Sequence, residues 1–186
     1  MNAKGMRQLA QRLRVPLGFF VIPAFLIFAR PTPLTLVSGA FVAVSGILLR
    51  AWASGHLRKM AELTTSGPYA YTRNPLYLGT FLMVVGIAIA GGSLWLAIGI
   101  SAAYLAIYVP VMMAEIETMQ TLFPDSYDAW AAQVPLFVPR LTPARVSDGP
   151  SNRFDSRLFL TYREYRASVG LVAVLLVLTA KMFFQE

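Results

Sequence analysis

Cysteine is absent from this chain of 186 residues. Disulfides, thiolate metal sites and cysteine nucleophiles are therefore excluded. Histidine occurs once, at His56, so a histidine-based metal centre would need carboxylate partners. Charge is scarce: 13% of residues are charged, against about 25% in a soluble domain. Acidic residues number 9 against 16 Lys and Arg, which leaves a net charge of +7. What fills the chain instead is apolar, with 56% hydrophobic residues and a mean hydropathy of +0.58. Such a composition suits lipid as solvent. In so apolar a chain a basic excess reads as contact with anionic headgroups and as orientation in a bilayer, not as nucleic-acid binding.

The few charges divide the chain into long apolar runs. Residues 15–29 and 31–49 are uncharged, and residues 74–114 hold no charged side chain over 41 consecutive positions. One crossing needs about 20 residues, so this longest run reads as two crossings with Gly91-Gly92-Ser93 at the reversal. A last apolar run covers 167–180. The predicted fold class is all-α: a polytopic membrane helix bundle of about five helices, near 15–30, 33–53, 76–91, 94–114 and 166–184. Continuous apolarity without period-2 alternation argues for helices over a barrel. The basic lead at Lys4, Arg7, Arg12 and Arg14 resembles that of a signal peptide, but Phe28-Ala29-Arg30-Pro31 fits a cleavage site poorly. Glycines at 39, 46, 79, 86 and 99, with Ser45, are either close-approach points between helices or the ordinary glycine content of membrane helices.

With the N-terminus inside, 14 of the 16 Lys and Arg fall on inner segments, and only Arg30 and Lys181 fall outside. The positive-inside rule then places the N-terminus in the cytoplasm and the C-terminus outside. Two inner segments, 54–75 and 115–165, lie on the same side, so any soluble-facing chemistry is assembled from them. Residues 153–166 alternate arginines with Phe154, Leu158, Tyr162 and Tyr165 at helical spacing, which predicts an interfacial helix on anionic lipid.

The first inner segment contains Gly67-Pro68-Tyr69 and then Arg73-Asn74-Pro75-Leu76-Tyr77-Leu78-Gly79. Asn74 precedes a proline and is pushed out of the helical region, while Pro75 suits the first turn of the next helix. Arg73 beside that helix start makes a place for a carboxylate or phosphate; the alternative is an ordinary interfacial belt of Arg and Tyr. The second inner segment starts at Glu115-Ile116-Glu117 and continues through Phe123-Pro124-Asp125-Ser126-Tyr127 to Val134-Pro135. A carboxylate where a helix leaves the hydrocarbon, as at Glu115, is a functional candidate by default. Glu117 reads more simply as solvated.

These two segments together resemble the isoprenylcysteine carboxyl methyltransferase and phospholipid methyltransferase superfamily of membrane enzymes. The likeness covers about residues 50–140. It implies a methyltransferase using S-adenosylmethionine, with no metal, acting on a lipid or other hydrophobic acceptor at the membrane. It places Tyr69, Arg73, Asn74, Pro75, Tyr77, Gly79 and Glu115 around the cofactor and adds His56 at the mouth of the second helix. On this reading Arg73 and the helix start take the cofactor's carboxylate, Glu115 its ribose, and Tyr69 and Tyr77 its adenine or sulfonium. Residues 1–186 form one membrane domain with a methyltransferase-like core at 50–140, followed by an interfacial helix and a final membrane helix at 153–186. Three departures stand out. Asn74 replaces the family's usual histidine, Ile116 replaces the second acid, and residues 111–114 lack the arginine that many members carry. The last departure removes an anchor for a carboxylate acceptor. Two rival readings are a reductase of the related sterol-reductase-like fold and a non-enzymatic transporter or assembly factor. No glycine-rich dinucleotide fingerprint favours the first, and the uncharged 41-residue run counts against the second.

Overall fold

A computed structural model describes residues 25–58, 62–145 and 153–184. Residues 25–28 are helical. The rest of the predicted first membrane helix and its basic lead lie outside the described residues. The chain then forms α1 (Pro33–His56), a 3-10 turn (Gly67–Ala70), α2 (Pro75–Ala90), α3 (Leu94–Leu122), the short α4 (Tyr127–Ala131) and α5 (Ser156–Thr161), and α6 (Tyr165–Phe183). Among the described residues α1, α3 and α6 are long and apolar enough to cross a membrane, and α2 is a shorter apolar helix of 16 residues. The fold is an all-α membrane helix bundle.

Local chemistry sets the helix ends. Thr32 and Thr35 form a capping box at the start of α1, with Pro33 in its first turn. Pro75 opens α2, and Asn74 before it is non-helical (φ −127°, ψ 57°). Gly92, at φ 74°, reverses the chain between α2 and α3, and the Ser93 hydroxyl then accepts from Leu96 N–H. The helix of α3 runs to Leu122, past the expected end near 114. Charge at Glu115 ends the apolar run but not the helix, so Glu115 and Glu117 stand on its continuation.

The tightest packing is between α1 and α2. A Cβ added at Gly39 would lie 2.3 Å from the Ala90 nitrogen, one at Gly46 2.4 Å from the Gly79 carbonyl oxygen, and one at Gly86 2.4 Å from the Ala43 nitrogen. The two backbones are therefore in direct contact along a seam of small residues, as lipid-embedded helices favour. Gly99 meets nothing within 4 Å and has no part in it. Ser45 donates to Val42 O within its own helix.

At one end of the bundle Phe25, Ala29, Ala90 and Leu178 form a buried cluster. There Arg30 N–H bonds Gly91 O at 2.6 Å, and the Lys181 amine donates to the Leu26 and Ile27 carbonyls. The two basic residues assigned to the outer side by the charge count thus share one end. At the other end Ala53, Tyr69, Tyr127, Trp130 and Val134 form a second cluster.

The expected helix over 153–166 is broken. Asp155 caps the six-residue α5 through Arg157 N–H. Arg163 then turns left-handed at φ 56°, its N–H bonded to Leu160 O and that of Glu164 to Phe159 O. No Gly or Pro announces this turn. Phe154 packs on Gly55, and the Tyr162 hydroxyl donates to Leu57 O at 3.1 Å.

Candidate functional site

Residues 70–74 and 135–144 interlock. Arg73 N–H bonds Pro135 O at 2.9 Å, Arg140 N–H bonds Tyr71 O at 2.9 Å, and Ala144 N–H bonds Ala70 O at 2.9 Å. The Thr72 hydroxyl donates to Phe137 O at 3.0 Å. Asn74 Nδ2 donates to Leu136 O at 2.9 Å. Trp130, only 3% exposed, donates from its indole to Tyr69 O. A buried aromatic of this size removes about 150–250 Å² from solvent, so Trp130 anchors the 135–144 stretch over the start of α2. Thr72, Trp130 and the Leu136 carbonyl carry this assembly and were not picked out by the sequence reading.

A phenol and a carboxylate meet where α2 and α3 approach. Tyr77 donates its hydroxyl to Glu115 Oε1 at 3.0 Å. No described residue donates to the other oxygen of Glu115. The Tyr104 hydroxyl donates to Tyr77 O at 2.9 Å, tying α3 to the first turn of α2. The Tyr104 and Tyr108 rings stack at 4.2 Å, and Tyr108 lies 5.5 Å from the Tyr77 ring.

Tyr69 is buried on the 3-10 turn. Burial pushes its phenol pKa up first, and the charges of Tyr162, Glu164 and Glu115 push it further against the opposing effect of Arg50. It therefore stays protonated as a donor, and its hydroxyl makes no hydrogen bond to a described residue. Tyr69 thus sits in a field to which Glu164, Glu115 and Arg50 contribute. Arg50 of α1 forms a two-pronged pair with Glu164, Nε to Oε2 and Nη2 to Oε1, both at 2.9 Å. The Arg50 and Glu164 side chains are 21% and 11% exposed. Arg50 Nη1 donates to Leu76 O at 3.2 Å and to the Thr80 hydroxyl.

The remaining predicted site residues fall into three places. Arg73 Nη1 donates to the Tyr127 hydroxyl at 3.3 Å, while its Nε is buried without a partner. Pro75 is fully buried as the first residue of α2. Gly79 lies on the helix seam, where an added Cβ would be 2.6 Å from Arg50 Cγ, so its lack of a side chain gives Arg50 its path. His56 stands apart from the Tyr77–Glu115 pair. Its Nδ1 is 2.9 Å from Trp52 O, its ring centroid is 6.0 Å from that of Phe154, and an added Cβ at Gly67 would press on the imidazole at 2.6 Å. Among the described residues no group of three or more His, Asp or Glu is placed to hold a metal ion.

An apolar groove of about 440 Å³ runs along α3, lined by Trp95, Gly99, Ala103 and Ile107 with Val84 of α2. Tyr104 and Tyr108 line it too, which joins it to the Tyr77–Glu115 pair through the stacked rings.

Comparison with known proteins places this arrangement. Over 116 residues the chain is 33% identical to the nickel-cobalt-cadmium resistance protein NccN of Alcaligenes xylosoxydans xylosoxydans, covering 58% of this chain and 54% of that protein. Over 113 residues it is 30% identical to the cobalt-zinc-cadmium resistance protein CzcN of Cupriavidus metallidurans, covering 60% and 52%. The chain thus spans about half the length of these curated relatives. No solved structure gives a significant match. The phospholipid methyltransferase family matches residues 34–126, a stretch that holds α1, α2, α3 and both members of the Tyr77–Glu115 pair, and the chain belongs to that family.

Proposed function

We propose that this chain is an integral membrane methyltransferase that uses S-adenosylmethionine to methylate a lipidic or other hydrophobic acceptor. The observation that carries the reading is the set of uncommitted polar groups on the two interlocked motifs. The buried Arg73 Nε has no partner, and among the described residues Glu115 is held at one oxygen only, by Tyr77. Buried polar groups are nearly always satisfied, so the unpaired Arg73 Nε beside a family motif favours a polar ligand.

The residues present fit that cofactor. Arg73, beside the helix start at Pro75, would take its carboxylate through Nε. Glu115 would accept from the ribose hydroxyls, since a carboxylate has room for more donors than the one Tyr77 supplies. Asn74 would act by tying the 135–144 stretch down over the helix start, and Gly79 by letting Arg50 pass; His56 would shape the mouth through its packing on Gly67. When bound, S-adenosylmethionine supplies a methyl group on a positively charged sulfur. The chain's own task is then positioning and exclusion of water. Tyr77 orients Glu115, Tyr104 holds the turn that carries Tyr77, and the docked 135–144 stretch covers the helix start.

The groove along α3 supports a hydrophobic acceptor, because it is apolar and leads to the aromatic pair at Tyr77. The charge distribution supports a cytoplasmic N-terminus and site. The names of the two relatives support a second reading, a part in resistance to nickel, cobalt, cadmium or zinc. On the methyltransferase reading, that part would come through methylation of a membrane component. The test is mass spectrometry of native-membrane lipids incubated with purified protein and isotopically labelled S-adenosylmethionine. A labelled lipid product is expected. Unlabelled lipids with unconsumed cofactor would remove the enzymatic reading.

A further inference from the structure

The stretch that matches the family ends at residue 126, yet residues well beyond it reach the site. Glu164 lies between α5 and α6, 114 positions from its partner Arg50. It meets the guanidinium with both carboxylate oxygens, and Arg50 passes the contact on to Leu76 O and Thr80 in the first turns of α2. Tyr77 stands in that same turn and holds Glu115. We infer that Glu164 is a positioning residue of the site: by fixing Arg50 it fixes the first turn of α2, and with it the Tyr77–Glu115 pair.

Three observations support more than a structural tie. A buried ion pair is a weak source of stability, because desolvation offsets its attraction. Its hold on the first turns of α2, through Leu76 O and Thr80, gives it another use. The chain also accepts a left-handed Arg163, at φ 56°, immediately before Glu164. Non-glycine residues take that conformation at a cost and keep it where surrounding contacts over-determine it. Those contacts are here. Tyr162 bonds Leu57 O, Asp155 N–H bonds Gly55 O at 2.9 Å, and Asp155 pairs with Arg58 at 3.6 Å. Together they clamp the C-terminal segment onto the end of α1 and aim Glu164 at Arg50.

The purpose given to this pair rests on the methyltransferase reading, so the experiment has two independent arms. The full chain is purified as wild type, Glu164→Gln and the double variant Arg50→Met/Glu164→Leu. The first arm reads amide hydrogen exchange. Glu164→Gln should speed exchange at residues 76–80 by about fivefold or more while leaving 86–90, on the small-residue seam, unchanged. The second arm reads S-adenosylhomocysteine affinity by calorimetry. Glu164→Gln should weaken it about tenfold, the scale of one charge-assisted hydrogen bond. The double variant removes both charges together, so it should unfold near the wild-type temperature and still bind weakly. It keeps the test open if Glu164→Gln fails to fold. Unchanged exchange at 76–80, or a double variant with wild-type affinity, would overturn the inference. A wild type that binds no S-adenosylhomocysteine, with exchange at 76–80 still raised in Glu164→Gln, would remove the methyltransferase reading and leave the positioning of α2 by Glu164 standing.

Discussion

Replacing Glu115 separates the proposed site from the general stability of the bundle. The carboxylate is held at one oxygen by Tyr77 at 3.0 Å, and the other has no donor among the described residues. Glu115→Gln keeps the volume and a neutral acceptor but removes the charge. A hydrogen bond to a charged group contributes about 1.5–3 kcal/mol against about 1 kcal/mol for a neutral one. The variant should therefore lose about 1–2 kcal/mol of cofactor affinity, or roughly 5–30-fold. Tyr77→Phe acts through the same carboxylate: it leaves Oε1 without its donor and lets the side chain turn. The two changes should not add, with the double variant falling short of the sum by about 0.5 kcal/mol or more. Calorimetry with S-adenosylhomocysteine reads all three, and thermal unfolding of the same samples shows whether the fold is intact. Glu115→Gln binding within twofold of wild type, in folded protein, would refute the assignment of Glu115 to the cofactor. Strict additivity would refute the role given to Tyr77.

Gly86→Val drives a Cβ to 2.4 Å from the Ala43 nitrogen and 2.6 Å from the Gly39 oxygen, so it should destabilise the chain by at least about 1–3 kcal/mol in denaturant unfolding, whereas Gly99→Ala should be nearly neutral. Arg163→Gly relieves the left-handed turn at φ 56° and should stabilise by up to about 1 kcal/mol, read by the same assay; no gain would mean that the turn is unstrained. Because the folded-state pKa of Tyr69 is raised, the unfolded chain releases this proton first, near the ordinary tyrosine value of about 10. Stability from this group is complete below that pH and falls as pH rises above it, and Tyr69→Phe should flatten that alkaline loss in a pH series of unfolding midpoints. Accessibility of tags should place the N-terminus in the cytoplasm and the C-terminus outside; both tags on one side would contradict an odd number of crossings.

The long elements were legible in type and in where they begin, because uninterrupted apolarity marks them; the end of α3 was not, since its helix continues past the apolar run to Leu122. The reversal at Gly91-Gly92 and the start at Pro75 were legible for a similar reason: each depends on a residue whose backbone is unusual in itself. The glycines were not separable. Gly86 is buried in a helix seam and Gly99 faces open space, yet both sit in equally apolar runs, and only the facing backbone tells them apart. The site was half legible. Tyr77 and Glu115 were named from two motifs and do meet. Asn74 was named as well, and its Nδ2 bonds Leu136 O. Arg50 was counted only as a charge, and Glu164 went unnoticed, since no local pattern links residues that far apart. The turn at Arg163 that aims Glu164 carries no glycine to announce it.

Arg50 also bears on the nature of the acceptor. The absence of an arginine from residues 111–114 suggested that no cation waits beside Glu115 for an anionic carboxyl substrate. The fold brings Arg50 of α1 to Leu76 O and Thr80, which flank Tyr77 along α2. Its donors are committed, however: Nε and Nη2 to the two oxygens of Glu164, and Nη1 to Leu76 O and Thr80. A carboxylate acceptor would have to displace Glu164 and leave that buried acid unpaired, which costs several kcal/mol. With Arg50 held by Glu164, the neighbourhood of Tyr69 gains no free cation from α1. An anionic carboxyl group would enter it at a disadvantage, whereas a neutral or amine-bearing head on an apolar tail would not. An argument against a carboxyl acceptor would therefore rest on Glu164 occupying Arg50 and not on a missing arginine.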